Sequence, residues 1–140
     1  MNAIDLALYN KLTGSTALTA LTSGGTASPS VYQWLAPEGQ DPPYVVYNKQ
    51  ASTPQHTLSG VAHENAIYQV KGVTLGPSAA AAGTIASTID TVLVDQALTI
   101  TGYTHMYLRR VSDIDYPEAG PGGQRIHHRG ALYRVLADPA

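Results

Sequence analysis

Residues 68–93, "YQVKGVTLGPSAAAAGTIASTIDTVL", change their hydrophobic period halfway along, and that change decides the fold. Before Gly76 the pattern repeats every second residue. Within 65–75, Ala66, Tyr68, Val70 and Gly72 point to one side, while Ile67, Gln69, Lys71 and Val73 point to the other, as in a strand. Gly76-Pro77-Ser78 then opens a helix with proline near its first position, where its missing N–H costs nothing. Ala81, Ile85, Ile89 and Leu93 form a helical stripe, widened by Ala82, Ala86 and Val92. A strand feeding a helix whose small residues suit close packing predicts a sheet with helices laid on it.

Upstream, Ile4, Leu8 and Leu12 recur at helical spacing, with Asp5 in the first turn and Lys11 in the last, as the helix dipole favours. Gly14 ends this helix, and Ser15 can cap a short second turn carrying Leu18 and Leu21. "VYQWL" (31–35) and "YVVYNKQ" (44–50) read as strands, the second with Pro42 and Pro43 confined to its start. Residues 51–63, "ASTPQHTLSGVAH", read as a long polar loop. Downstream, 97–113 reads as a short strand, a break at Gly102 and a longer strand. Residues 116–124 read as a turn and 125–137 as the returning strand. The expected class is α+β: a mostly antiparallel sheet of about five strands with two main helices on one face, in a single domain spanning 1–140.

Composition narrows the function. There is no cysteine, which excludes disulfides, thiolate metal sites and cysteine nucleophiles. A net charge of −2 gives no electrostatic footprint for tight nucleic-acid binding. No apolar run is long enough to span a bilayer, and "MNAIDLALYNKL" lacks the regions of a signal peptide, so no membrane is expected. Charged residues make up 13%, about half the usual share. A surface so poor in charge is easily desolvated, which suits burial against other chains.

The stretch richest in reactive side chains is "DIDYPEAGPGGQRIHHRGALYRV" (113–135). Neighbouring residues on a strand point to opposite faces, so His127 and His128 do not share a metal ion. His56 and His63, the latter followed by Glu64, flank a loop with no helix to hold them in register. No GxSxG, P-loop, GxGxxG or HExxH pattern occurs. No catalytic residue, metal ligand or cofactor is assigned. Arg109, Arg110, Arg125, Arg129 and Arg134 all fall in the last third of the chain, beside Asp113, Asp115 and Glu118. With His56, His63, His127 and His128, they are the candidate subunit or partner contacts. Both faces of the expected sheet carry apolar side chains, so either the face the helices leave open is partly wet or a second copy or another protein covers it, and the second is the favoured reading.

"IDLALYNKLTGSTALTALTSGG" (4–25), "VYQWLAPEGQDPPYVVY" (31–47), the opening 68–93 segment and "HHRGALYRVLA" (127–137) together resemble the tail-completion family of long-tailed bacteriophages. That family includes tail terminators and tail-to-head joining proteins. The resemblance spans nearly the whole chain and brings no catalytic motif. It implies a non-enzymatic virion protein that forms a ring, a hexamer, on the end of the tail tube. Such a ring stops tube growth and meets the tube protein on one side and a head-completion or neck protein on the other. Genomic DNA passes through its lumen without sequence-specific binding. The implied location is the tail or neck of the virion, and the host cytoplasm during assembly. By the same analogy, 51–63 and the tip at 114–124 are surfaces that reach neighbours. The alternatives are a head-closure or other neck protein, a small metal-binding hydrolase built on His56, His63, Glu64 or the His127/His128 pair, and a soluble ligand-binding module.

Overall fold

A computed structural model describes residues 3–139; Met1, Asn2 and Ala140, the ends of the expected 1–140 domain, lie outside it. The α+β expectation holds: one five-stranded sheet carries its helices on a single face. Helix α1 is Ala3–Thr13 and α2 is Thr16–Thr19, with Ser15 as its N-cap accepting the Leu18 N–H at 3.3 Å. Strand β1 is Val31–Gln33, β2 Tyr44–Thr57 and β3 Gly60–Gly76. Helix α3 is Ala80–Leu93, and strands β4, Tyr103–Ala119, and β5, Arg125–Pro139, close the chain. The order across the sheet is β1-β2-β3-β5-β4; β1 runs parallel to β2, and every other pairing is antiparallel.

The core lies between the sheet and the helices. Ile4, Leu8 and Leu12 of α1 and Ile85, Ile89 and Leu93 of α3 meet Tyr47, Ala66, Tyr68, Val70, Tyr133 and Val135 of the sheet. Ala66, Tyr68, Val70 and Gly72 all face the helices and are buried, as the period-two reading requires. Gly72 has a specific job. A Cβ there would come within 2.4 Å of Ile85 Cγ2, so the missing side chain lets α3 sit close to the sheet.

Several boundaries differ from the sequence reading. Residues 51–63 are not a loop: β2 and β3 pair through them as a hairpin as far as Thr57↔Gly60, with register shifts between Lys49 and Ala51 and between Gln55 and His56. A polar stretch does not look like a strand when neither face is buried, because alternation is then absent. β1 stops at Gln33, since Trp34 takes a left-handed φ of 70° and turns the chain. The residues around 97–101 form no strand, although Leu98 and Ile100 reach the core as extended chain. β4 continues through the expected turn as far as Ala119, leaving only 120–124 to reverse direction. Helix α3 begins at Ala80, after Pro77 rather than with it, and Ala81 is exposed; its buried stripe starts at Ala82.

Strand β4 also breaks simple alternation. Register shifts between His105 and Tyr107 and between Arg110 and Ser112 leave Met106 and Val111 as the extra residues of two bulges. Both are 47% exposed, whereas Leu108, opposite Val135, is fully buried on the helix face. A bulge resets which residues point inward, and neither one is visible in the spacing of hydrophobic residues.

Candidate functional site

The histidines and arginines singled out from the sequence are scattered by the sheet, not gathered. His127 and His128 point to opposite faces. His127 Nε2 is 3.1 Å from the Gly76 carbonyl on the helix side. His128 lies on the open side, stacked on Tyr116 with ring centroids 4.5 Å apart, its Nε2 2.8 Å from Glu118. Burial holds the His128 pKa below the ordinary histidine value. The Glu118 hydrogen bond and charge pull it upward, while Lys71 and His127 add to the depression. Lys71 donates to the Tyr116 hydroxyl at 2.6 Å, so this cluster ties β3, β4 and β5 together.

Three of the five arginines, Arg109, Arg110 and Arg129, meet acids. Arg110 lies 3.5 Å from both Asp90 and Asp113, and Arg129 Nε lies 3.3 Å from Asp115. These pairs line a cleft of about 580 Å³ between α3 and the distal parts of β4 and β5, beside the small side chains of Ala80, Thr84 and Ser87. Tyr133, hydrogen-bonded to Asp90 at 3.0 Å, has its hydroxyl pKa pushed up by burial and by that carboxylate. The cleft is thus lined by charges of both signs paired with one another. Arg109 sits on the open face over the Tyr107 ring, 5.2 Å from its centroid, and 3.7 Å from Asp95. Its cross-strand neighbour is Arg134. Arg125 is exposed at the start of β5.

His56 stands exposed on β2 near the hairpin tip, and His63 on β3 bonds through Nδ1 to the Asp138 carboxylate. Glu64 instead accepts from Ser52 Oγ at 3.3 Å. His105 has a depressed pKa, from burial and then from Lys11; its Nδ1 has no hydrogen-bond partner among the described residues. Among the described residues no group of three His, Asp or Glu side chains could hold a metal ion.

What the fold presents is surface. Directly opposed residues of an antiparallel pair share a face. The open face therefore carries Asn48, Gln69, Leu132 and Ser112 in one row and Thr53, Asn65, Leu136 and Tyr107 in another. Ile67, Leu132 and Leu136 are half-buried there by their own neighbours, on the side opposite the helix-packed core. Beyond Glu64↔Ala137 strand β3 loses its β5 partner, so the rest of the β2–β3 hairpin is a two-stranded ribbon. Every residue from Gln50 to Val61 is exposed, and Leu58 caps the ribbon. The sequence reading named this segment as a reaching surface but missed that it is a paired, two-stranded arm. Gly60 after Leu58-Ser59 was the available turn signal.

A family model described as "Tail completion protein gp17" matches residues 6–130. No curated protein matches the sequence. Among solved structures, a chain of the virion of a native gene transfer agent particle superposes with a TM-score of 0.72 at 17% identity, covering 97% of this chain and 95% of that one. Another solved chain, with no functional name, gives a TM-score of 0.55 at 15% identity, covering 94% of this chain and 93% of its own. At these identities the two likenesses establish the fold.

Proposed function

The chain belongs to the tail completion protein gp17 family of phage structural proteins, and from that premise we propose that it is a tail terminator. In this reading, one domain of 140 residues assembles into a six-membered ring on the end of the tail tube and stops its growth. The ring then joins the tail to the neck of the head, and DNA passes through its lumen held by no base-specific contact. The protein catalyses no reaction and resides in the virion after assembly in the host cytoplasm.

The observation that carries the reading is the open sheet face with its projecting arm. The sheet keeps apolar side chains on the face its own helices do not cover, and the β2–β3 arm exposes both of its sides. Surfaces of this kind suit burial against other subunits, and different surfaces meeting around an axis close a ring when the rotation between neighbours closes. The gene transfer agent chain, which shares the fold, is itself part of a virion. The candidate contact residues, Arg109, Arg110, Arg125, Arg129, Arg134, His56, His63, His127 and His128, would act through the surfaces they stabilise rather than through chemistry of their own.

The test is tail length, seen by electron microscopy, in a lysate of a phage with an early stop codon in this gene. Overlong, headless tails are expected. Tails of normal length beside full, unjoined heads would move the protein to joining or head closure. Intact virions would overturn the reading.

A further inference from the structure

The turn after β1 displays two large apolar side chains that the fold has no use for. Trp34 is 59% exposed and Leu35 83% exposed. Trp34 also holds a φ of 70°, a conformation that a bulky residue adopts only when its surroundings impose it. Here the constraint is visible: Trp34 N–H donates to the Tyr47 carbonyl at 3.0 Å and Leu35 N–H to the Gln33 carbonyl at 2.9 Å. The chain thus uses two backbone hydrogen bonds to hold its only tryptophan outward. Tryptophan is the side chain most enriched among the anchors of protein interfaces.

The same molecule carries a recess of about 330 Å³ between α1 and residues 97–101. Ala3, Leu6, Ala7 and Ala97 supply its apolar lining, and Leu6 is 47% exposed there. Knob and recess lie on opposite flanks of α1. One flank faces β2, through Asp5 toward Lys49 and Tyr9 toward Tyr47. The other flank, with Ala3, Ala7 and Asn10, walls the recess. Charge agrees with shape. The 34–43 turn has Glu38 and Asp41 as its only charged residues, and the recess has Lys11 as its only charged lining residue. An acidic turn does not suit a phosphate backbone, which favours protein as the occupant.

We propose that the Trp34–Leu35 turn of one copy docks into the recess beside α1 of the next copy. Unlike patches meeting in this way form a head-to-tail contact, the kind that closes a ring. The proposal rests on the ring reading above and names where neighbouring subunits join.

The absence of cysteine makes a clean cross-linking test possible. Leu35→Cys and Leu6→Cys alter exposed positions, so both variants should fold. An equimolar mixture of the two, concentrated and mildly oxidised, is expected to give a disulfide-linked dimer on a denaturing gel, while each alone stays uncross-linked. A chain carrying both substitutions should give a ladder of multimers. In the wild-type protein, Trp34 emission should move to shorter wavelength on assembly, and Lys11→Glu should weaken assembly at least tenfold in concentration. If wild-type rings form, by microscopy, but the mixture does not cross-link, this contact is wrong and the ring stands. Self-linking of the Leu35→Cys variant, or its capture of a different tail protein, would also overturn the contact. Failure of the wild-type chain to assemble alone or on purified tails would overturn contact and ring together.

Discussion

His128 shows how a polar residue can be structural here and still leave a measurable signature. Burial outweighs the Glu118 contact and depresses its pKa, and His105 is depressed by burial and by Lys11. A histidine held below its ordinary value, about 6.5, takes up its proton more readily in the unfolded chain. Both residues therefore support the fold when neutral, and that support is lost as the pH falls below the unfolded value toward the folded ones. The expected outcome is a urea midpoint that drops between pH 7 and pH 5.5, with a shallower drop for the His105→Gln, His128→Gln double variant. Equal slopes would show that neither imidazole is held neutral by the fold. Acids that lie beside arginines in the sequence do meet them in the fold, as Arg110 with Asp113 and Arg129 with Asp115. Which face each residue takes was hidden by the bulges in β4.

Helix α3 and the strands beneath it were the most legible part of the chain, and the reason is burial. Where one face packs on a core, side chains alternate in type, and Ala66, Tyr68 and Val70 followed by Ile85, Ile89 and Leu93 could be read directly. Where neither face is buried, as at 51–61, composition says only that the chain is polar, and a strand passes for a loop. The same holds for 114–119, which the sequence gives no apolar reason to extend. The close approach of α3 to β3 rests on Gly72 and makes a sharp prediction. Gly72→Ala places a methyl against Ile85 Cγ2, and overpacking of this kind costs about 1–3 kcal/mol. Denaturant unfolding should show that loss. Ile85→Ala alone should cost about 2–5 kcal/mol by opening a cavity. In the double variant the methyl fills part of that cavity, so the two costs should sum to less than their separate values. Strict additivity would mean that Gly72 and Ile85 do not press on one another.

In the molecule as a whole, sheet and helices account for the core, and the exposed arm accounts for nothing in it. An isolated two-stranded hairpin is marginal in water, and a free strand edge is ordinarily guarded by charge. The arm from Gln50 to Ala62 has no Lys, Arg, Asp or Glu, carries Pro54 as its one such guard, and ends in a fully exposed Leu58. A segment so weakly protected is consistent with one that is covered in the finished particle, and the lack of charge suits a protein surface more than nucleic acid. Leu58→Asp separates the two roles a residue can have. Because Leu58 touches no core residue, the substitution should shift stability by no more than about 0.5 kcal/mol, and the melting midpoint should stay where it is. Supplied from a plasmid to a phage lacking the gene, the variant should nonetheless restore at least tenfold fewer infectious particles than the wild-type chain. Equal restoration would mean that the tip stays in solvent, leaving the open sheet face and the turn at Trp34 to carry assembly. A lowered melting midpoint would mean instead that the leucine supports its own fold, and the arm would then have no separate claim on a partner.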